Sequence, residues 1–254
     1  MGAIFVARDL GPSNALDKVS KVFSSNQEFV VRCFGGGREI PNQTFSVSLQ
    51  LMTGKGMVLV TGMSSSPESA KEEMAACDAA MQRGVPFCLF ADTFGAWARP
   101  WFEPYRSAAS ALFVVSPAEA EKARELFHKA SIVASGNPSW ESFFYPKHTR
   151  AQIRHQLNIG WGKFMVLVPG AKDIKTNKSL LYDVIEAVEM VEDNLIDEDD
   201  PDGHWGRIFF CLHPGDTNSP EVYESLFQET DVDVMAVADG KGLSASDMIP
   251  GCDI

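Results

Sequence analysis

The stretch SIVASGNPSWESFFYPKHTRAQIRHQLNIGWGKFMVLVPGAKD, residues 131–173, contains the signals that decide the fold. It opens with the apolar run 132–134, which stops at a Ser-Gly-Asn-Pro sequence. It closes with the longer run 164–168, which stops at Pro-Gly. Short apolar runs that end in glycine turns are typical of buried parallel strands. The stretch therefore joins the last strand of one α/β unit to the first strand of another.

The segment between the two runs is polar and basic. From Lys147 to Lys178 the chain carries seven Lys or Arg residues and a single acid, Asp173. In doubly wound α/β sheets, ligands lie outside the carboxyl ends of the strands. A cleft between two such units, with basic residues and glycine turns at its mouth, predicts an anionic ligand such as a nucleotide.

Upstream of this stretch, apolar runs alternate with helical patterns. The candidate strands are residues 3–7, 29–34, 57–60, 85–91, 111–115 and 132–134. Helical patterns follow the first, third and fifth of these runs. Strands that alternate with helices indicate a parallel sheet. Residues 38–56 are weakly patterned, and no element is predicted there.

Polar residues follow several of these strands, where a parallel sheet binds its ligands. Asp9 and Asn14 follow the first strand, Ser64 and Ser65 the third, and Asp92 the fourth. Two interpretations stay open for these positions: a helix cap, or a side chain that faces the cleft. The serines precede a helix, whose N-terminus is a natural anion site. Asp9 and Asp92 are expected at the same rim of the sheet.

Three further apolar runs predict the strands of a second unit, at residues 164–168, 208–212 and 232–238. Gly170 and Lys172 follow the first run, and His213 and Gly215 follow the second. A glycine lets a phosphate approach backbone N–H groups, a lysine supplies charge, and a histidine titrates near neutral pH. These turns are expected to meet at one edge and suit a diphosphate. A solvated lysine and a hydrogen-bonded turn histidine are the alternatives.

The motifs of several other functional classes are absent from the sequence. It contains no GxGxxG fingerprint, no Walker GxxxxGK[ST] and no GxSxG elbow. The histidines show no HxxH or HExxH spacing and the five cysteines form no CxxC pair, so we predict no metal site. Most of the cysteines lie in apolar runs, which is typical of reduced, buried thiols.

The net charge of −12 is unevenly distributed. Residues 1–145 carry 13 basic and 14 acidic side chains, whereas residues 146–254 carry 9 and 20. Eight of these acids lie within residues 189–202, a pattern typical of a solvated helix end and loop. The overall acidity argues against nucleic acid as a partner. Because no apolar run is long enough to span a bilayer and no signal peptide is recognisable, we expect a cytoplasmic protein.

The order of strand, Gly-Asn-Pro, RAQIRHQLNIG, strand and PGAKD resembles the interdomain region of the GT-B glycosyltransferase superfamily. This group includes UDP-glycosyltransferases, UDP-N-acetylglucosamine 2-epimerases and CDP-glycerol glycerophosphotransferases. In that family Gly-Asn-Pro closes the N-terminal Rossmann domain, which implies that Gly136 and Asn137 contact substrate. His213 is similar to the histidine of the His-Pro motif in the CDP-glycerol group, where this edge faces the donor phosphates.

The resemblance implies an α/β fold of two Rossmann-like, doubly wound parallel-sheet domains that face a cleft. The acceptor-side domain is expected at residues 1–145, a linker at 146–163 and the nucleotide-binding domain at 164–254. In the family, the next segment is a loop and a helix that hold the donor. We therefore expect the second domain to be incomplete at Ile254.

The resemblance also implies transfer of a sugar from a UDP- or CDP-linked donor to an acceptor that the sequence does not identify. Asp9, Asp92 and His213 are the expected catalytic residues. The expected substrate contacts are Asn14, Ser64, Ser65, Gly136, Asn137, Gly170, Lys172 and Gly215. No cofactor other than the nucleotide-sugar substrate is expected. A sugar epimerase, a polyol-phosphate transferase and a non-catalytic nucleotide-sugar-binding protein remain alternatives, and the oligomeric state stays open.

Overall fold

The structure is a computed structural model that describes residues 2–25, 29–52, 56–160, 162–195, 206–213, 216, 218, 221–223, 232–237 and 243–253. The chain divides into two compact units, Met1–Glu141 and Ser142–Ile254. Each unit has its own parallel sheet, with six and three strands among the described residues. The predicted α/β class with two Rossmann-like parallel sheets is therefore confirmed.

The first unit is a parallel sheet with the strand order β2-β1-β3-β4-β5-β6. The strands are β1 Gly2–Ala7, β2 Phe29–Phe34, β3 Met57–Gly62, β4 Phe87–Phe90, β5 Ala111–Val114 and β6 Ser131–Ala134. The helices are α1 Leu10–Ser24, α2 Asn42–Leu51, α3 Lys71–Arg83 and α4 Pro117–Ala123. Short 3-10 turns occupy Ala96–Ala98, Pro100–Tyr105 and Pro138–Trp140.

β1 is buried along its whole length, because it pairs with β2 on one side and β3 on the other and is covered on both faces. Successive side chains of a strand point to opposite faces. Ile4 and Val6 accordingly join an apolar cluster that includes Cys77 of α3, whereas Phe5 joins a second cluster with Leu16 of α1. This double coverage explains why the strand is a continuous apolar run rather than an alternating one.

The chain connections reverse direction between β1 and β3. From β1 the chain continues to β2 on one side, whereas from β3 it proceeds to β4, β5 and β6 on the other. In doubly wound sheets such a reversal opens a crevice at the carboxyl ends of the two neighbouring strands, and ligands bind there. Asp9 follows β1 and Ser64 follows β3, so both residues flank this crevice.

The first unit differs from the sequence prediction at three helices. α2 occupies part of the weakly patterned region 38–56, and Ser48 is its one fully buried residue while Phe45 and Leu49 pack at the edge of the core. Because proline suits the first turn of a helix, the sequence predicts a helix that starts near Pro67, but α3 begins at Lys71. The apolar spacing predicts a helix over 117–129, but α4 ends at Ala123.

The second unit has the strand order β7-β8-β9, again parallel. Its strands are β7 Phe164–Pro169, β8 Gly206–Cys211 and β9 Asp233–Val237. The helices are α5 Glu141–Phe144 at the boundary between the units, α6 Arg150–Gln156, α7 Ile174–Leu195 and α8 Ala245–Met248, followed by a 3-10 turn at Ile249–Gly251. The helix predicted at 220–228 falls mostly outside the described residues.

The predicted connector 146–163 contributes to the packing of the second unit. Thr149 and Gln152 form a capping box at the start of α6, which satisfies backbone N–H groups that the helix itself leaves free. Ile153, which is completely buried, packs in an apolar cluster with Met165 of β7. α6 is therefore held in place by the sheet of its own unit.

The residues just before Ile254, where a further strand is expected, contact the amino end of β7. The backbone N–H of Asp253 donates to the carbonyl oxygen of Met165 at 2.9 Å, and the Asp253 carboxylate accepts from the Met165 N–H at 2.8 Å. No helix in the described residues is both long and apolar enough to cross a membrane.

Candidate functional site

The crevice between β1 and β3 is closed at its base by hydrogen bonds between Asp9 and the loop after β3. The Asp9 carboxylate accepts from the backbone N–H of Ser65 at 2.7 Å and from its hydroxyl at 2.6 Å. The Asp9 backbone N–H donates to the Ser64 hydroxyl oxygen at 3.0 Å. Asp9 occupies the N-cap position of α1 without capping it through its side chain, so this carboxylate belongs to the crevice.

Another acid, Glu73 in the first turn of α3, lies beneath these residues and is completely buried. Its carboxylate accepts from the Ser64 N–H and from the Ser64 hydroxyl, both at 2.8 Å, and from the Arg8 N–H at 3.1 Å. Burial raises the pKa of Glu73 to about 7, against the lowering effect of these three hydrogen bonds. Glu73 thus anchors both loops that flank the crevice.

The sequence analysis did not identify Glu73 as a site residue. The signal that could have found it is its spacing, because Glu73 lies four residues before Cys77 and seven before Ala80, on the buried face of α3. An acid on the apolar face of a helix requires hydrogen-bond donors from its neighbours. Ser64 supplies two of them.

The contacts of Ser64 correct one predicted site residue. Ser64 is completely buried and its hydroxyl group lies between Glu73 and the Asp9 N–H, so its side chain is not available to a substrate. Ser65 is exposed at the rim and bonded to Asp9. Asn14 is exposed on α1. Roles of Ser65 and Asn14 in substrate binding stay predictions.

Asp92 follows β4 at the same rim as Asp9, as predicted, and its carboxylate is mostly buried. Burial raises the pKa of Asp92, whereas the guanidinium of Arg99, 3.9 Å away, lowers it and the nearby Asp9 raises it. Its Oδ1 accepts no hydrogen bond from the described residues. A Cβ atom at Gly11 would collide with Asp92 Oδ2, so the first turn of α1 packs directly on this carboxylate.

The loop after β6 supports Asp92 from another side. Asn137 is buried and donates through Nδ2 to the backbone oxygen of Asp92 at 2.7 Å, while its Oδ1 accepts from the Ser139 N–H and hydroxyl. The side chain of Asn137 is therefore used in joining two loops, which corrects its prediction as a direct substrate contact. Gly136 adopts a positive φ of 72°, with open space around it.

Two aromatic side chains flank this part of the rim. Phe94 is 64% exposed, and its ring lies 6.0 Å from that of Trp140 between centroids. Phe102 and Tyr105, from the same aromatic-rich segment, are buried in the core. The segment therefore serves mainly as core, and Phe94 is its most accessible member at the rim.

At the carboxyl edge of the second sheet, the loops after β7 and β8 meet. The Gly170 N–H donates to the carbonyl oxygen of Cys211 at 2.8 Å. A Cβ atom at Gly170 would lie 2.9 Å from that oxygen and 3.0 Å from the ring of Phe210. The physical requirement for glycine here is thus the close approach of the protein's own chain.

Lys172 and His213 both lie at this edge, and the lysine charge acts on the imidazole. The imidazole of His213 has its pKa lowered by burial and, second, by the positive charge of Lys172, while Asp216 acts in the opposite direction. Lys172 itself is exposed. The predicted contact Gly215 lies outside the described residues. The edge therefore offers one fixed cation and one imidazole that tends to be neutral.

A buried amide, Asn177 of α7, fixes the geometry of these loops. Its Oδ1 accepts from the Ala171 N–H, and its Nδ2 donates to the Ala171 oxygen, to Asp216 and to the Tyr223 hydroxyl, each at 3.0 Å. The Tyr223 hydroxyl also donates to Asp216 at 2.6 Å. Sequence analysis missed Asn177, although its position one turn into the helix that follows a glycine turn was a usable signal.

Among the residues that the structure describes, no cluster of three His, Cys, Asp or Glu side chains could hold a metal ion. At the first sheet edge, Asp9 and Glu73 bind backbone and hydroxyl donors, and Asp92 lies 3.9 Å from the Arg99 guanidinium. The donor set at the second edge, a lysine and an imidazole, suits an anion and not a cation.

No family model matches the chain, and no curated protein matches it. Among solved structures, the chain is similar to a UDP-forming α,α-trehalose-phosphate synthase from Burkholderia xenovorans, with a TM-score of 0.45 and 9% sequence identity. The match covers 85% of this chain and 57% of that chain, so this chain spans a little over half the length of that synthase. At this level of similarity no residue's role passes from that protein to this one.

Proposed function

We propose that this chain is a glycosyltransferase that binds a nucleotide-sugar donor at the carboxyl edge of its second sheet. The observation that carries the proposal is the meeting of the loops after β7 and β8, which places Lys172 and His213 at the same sheet edge. The carboxyl ends of parallel strands are where doubly wound sheets bind ligands. A diphosphate needs fixed positive charge and hydrogen-bond donors, and this edge provides both.

In this proposal Lys172 supplies the fixed charge to the diphosphate and His213 supplies a hydrogen bond. A neutral imidazole donates one hydrogen bond to a phosphate oxygen, and a protonated imidazole adds charge. Neutralisation of the diphosphate also helps it to leave when the bond to the sugar breaks.

The acceptor is assigned to the carboxyl edge of the first sheet, with Asp92 as proton acceptor. The acceptor hydroxyl oxygen forms a bond to the anomeric carbon, the bond from that carbon to the diphosphate oxygen breaks, and the hydroxyl proton passes to the carboxylate. Asp92 is preferred to Asp9 because the Asp9 carboxylate already accepts two hydrogen bonds from Ser65. The raised pKa of Asp92 suits a general base better than an ordinary carboxylate does.

The donor site is tested by isothermal titration calorimetry with uridine and cytidine diphosphates. Replacing Lys172 and His213 together with alanine should weaken binding of the preferred nucleotide by about 100-fold, because two charge-assisted contacts are lost. The matched control replaces Lys175 and Lys178, two other lysines of the same segment, and should change affinity by less than about threefold. Equal affinity in wild type and the Lys172/His213 variant would overturn the donor site.

The reaction is tested by the release of nucleoside diphosphate from UDP- and CDP-sugars. Asp92→Asn should abolish release that depends on an acceptor. Gly11→Ala should lower it too, because the added methyl group collides with Asp92 Oδ2 and displaces the carboxylate without removing it. If the protein binds the nucleotide but releases no product, it is a nucleotide-sugar-binding protein without catalysis. If it interconverts the sugar without transferring it, an epimerase is favoured.

A further inference from the structure

The second unit contains a separate cavity at the amino end of β7, the end opposite Lys172 and His213. Its volume is about 970 Å³. That is within the size range of pockets for small organic ligands. It is lined chiefly by α6 and by the segment that leads into β7, including Arg150, Arg154, His155, Ile159, Lys163 and Phe164.

The rim of this cavity is cationic, although the chain as a whole carries a net charge of −12. Arg150, Arg154 and Lys163 are fixed cations, and the one acid among the lining residues is Asp253. That acid is already paired, because its carboxylate binds Arg154 at 2.9 Å and also binds Arg150. The cavity therefore keeps an excess of positive charge.

The two arginines differ in how many of their N–H donors are already used within the protein. Arg154 donates to the backbone oxygens of Gly251, Gly160 and Lys163 as well as to Asp253, so its role is structural. Arg150 donates to the Cys252 oxygen and to Asp253. A guanidinium has five N–H donors, so among the described residues three donors of Arg150 remain for a ligand.

Asp253 also holds the Arg150 guanidinium at the rim. The Arg150 side chain is 51% exposed and is restrained at one edge by this carboxylate, which leaves its other edge towards solvent. A restrained guanidinium loses less conformational entropy when it binds an anion than a free one does. The Lys163 side chain makes no hydrogen bond within the described residues, so its ammonium group is also available.

The floor of the cavity is partly apolar. Ile159 is 8% exposed and Phe164 is partly buried, and both residues line the cavity. At Gly160 and Gly162, no described residue other than their chain neighbours lies within 4 Å of the position of an added Cβ atom. An apolar floor under a cationic rim fits a ligand with an apolar body and an anionic group.

We propose that this cavity binds a small organic phosphate, with its phosphate on Arg150 and Lys163 and its apolar body on Ile159 and Phe164. The site does not depend on the proposed donor site. β7 has six residues, and a strand rises about 3.3 Å per residue, so the two sites lie roughly 17 Å apart at opposite ends of it.

The test uses phenyl phosphate as the probe and NMR of isoleucine methyl groups in the intact chain. Ile159 reports on the cavity floor, and Ile174, at the start of α7, reports on the carboxyl edge. Ile159→Val identifies the first signal. Phenyl phosphate should shift the Ile159 signal saturably and leave the Ile174 signal in place. Inorganic phosphate and phenol, which are the two halves of the probe, should each bind at least about tenfold more weakly.

Two variants then test the named contacts. Arg150→Gln and Lys163→Ala should each weaken phenyl phosphate about five- to tenfold, and Lys175→Ala should leave its affinity unchanged. Lys163→Ala is informative even if Arg150→Gln loosens the chain around Asp253, because the Lys163 side chain makes no hydrogen bond or ion pair with the described residues. Absence of a saturable Ile159 shift, equal binding of inorganic phosphate, or unchanged affinity in Lys163→Ala would overturn the proposal.

Discussion

At the carboxyl edge of the first sheet, the ionisable groups around the crevice are mainly acids, Asp9, Glu73 and Asp92. At the corresponding edge of the second sheet, Lys172 and His213 lie close enough for the lysine to lower the pKa of the imidazole. Both edges are formed by loops that leave the carboxyl ends of parallel strands. The difference in chemistry therefore comes from side chains placed on a shared backbone plan.

The two edges also differ in how their loops are fixed. In the first unit a buried carboxylate, Glu73, receives the backbone and hydroxyl donors of Ser64 and the N–H of Arg8. In the second unit a neutral amide, Asn177, holds the loop after β7. A buried acid makes the stability of its loops depend on pH, whereas a buried amide does not. Loops at equivalent positions in the two sheets can therefore differ in how their stability depends on pH.

The largest effect is expected from removal of the anchor in the first unit. Glu73→Ala leaves three buried donors without an acceptor and should lower the free energy of unfolding by about 4 kcal/mol. Glu72→Ala, the control at the neighbouring position, removes a longer contact to Arg8 and should cost less than about 1 kcal/mol. Urea-induced unfolding of the intact chain measures both, and similar losses in the two variants would contradict the role of Glu73.

The second effect concerns pH and the anchor of the first edge. Because the folded pKa of Glu73, about 7, lies above its ordinary value of 4.5, folding favours its protonated form. Its contribution to stability is complete below pH 4.5 and is lost as the pH rises through 7. The loss should amount to about 3 kcal/mol.

Glu73→Gln provides the comparison for this pH dependence, since the amide does not titrate. Urea unfolding between pH 5 and 8 should show a steeper loss of stability in wild type than in the variant. Parallel stability curves for the two proteins would argue that Glu73 stays ionised in the folded state.

A smaller effect is expected at the anchor of the second edge. Asn177→Ala removes the bonds to Ala171, Asp216 and the Tyr223 hydroxyl and should cost about 2 kcal/mol, with no change in pH dependence between 5 and 8. Tyr223→Phe removes a single hydroxyl from the same network and should cost about 1 kcal/mol. If the loss of stability in Asn177→Ala depended on pH between 5 and 8, the two anchors would not differ in their response to pH.

The smallest effect tests whether Lys172 and His213 are neighbours. Lys172→Ala removes the positive charge that lowers the pKa of the imidazole, so the pKa of His213 should rise towards its ordinary value. NMR titration of the His213 ring measures the shift, and Lys175→Ala should produce none. If the pKa of His213 is unchanged in Lys172→Ala, the two residues do not interact, and the donor site loses its basis.

The strands were predictable because each is a short apolar run ended by glycine or a polar turn, and parallel pairing follows from their alternation with helices. α2 was missed because it buries little more than Ser48, so its sequence has no clear apolar face. The apolar spacing predicts an amphipathic helix over 180–191. α7 extends further, from Ile174 to Leu195, because its ends are polar and carry no periodic signal.

Parts of the site could not be predicted, because they depend on contacts between residues far apart in the sequence. The placement of Lys172 and His213 at one sheet edge was predictable from strand order. The burial of Ser64 and the use of Asn137 to join two loops were not, since each depends on a partner on another element. The role of Gly170 in substrate binding stays a prediction, and the contact that requires glycine there is with Cys211 of the protein itself.

The bonds between Asp253 and Met165 have a consequence for folding during synthesis. The two residues are 88 positions apart, and ribosomes add roughly 5–20 residues per second. Roughly 4–18 s therefore pass between the translation of β7 and the translation of Asp253, and during this time the amino end of the strand lacks this partner. The first unit is translated before β7 and can fold on the ribosome during that interval, whereas the second unit completes its sheet edge only when Asp253 has emerged.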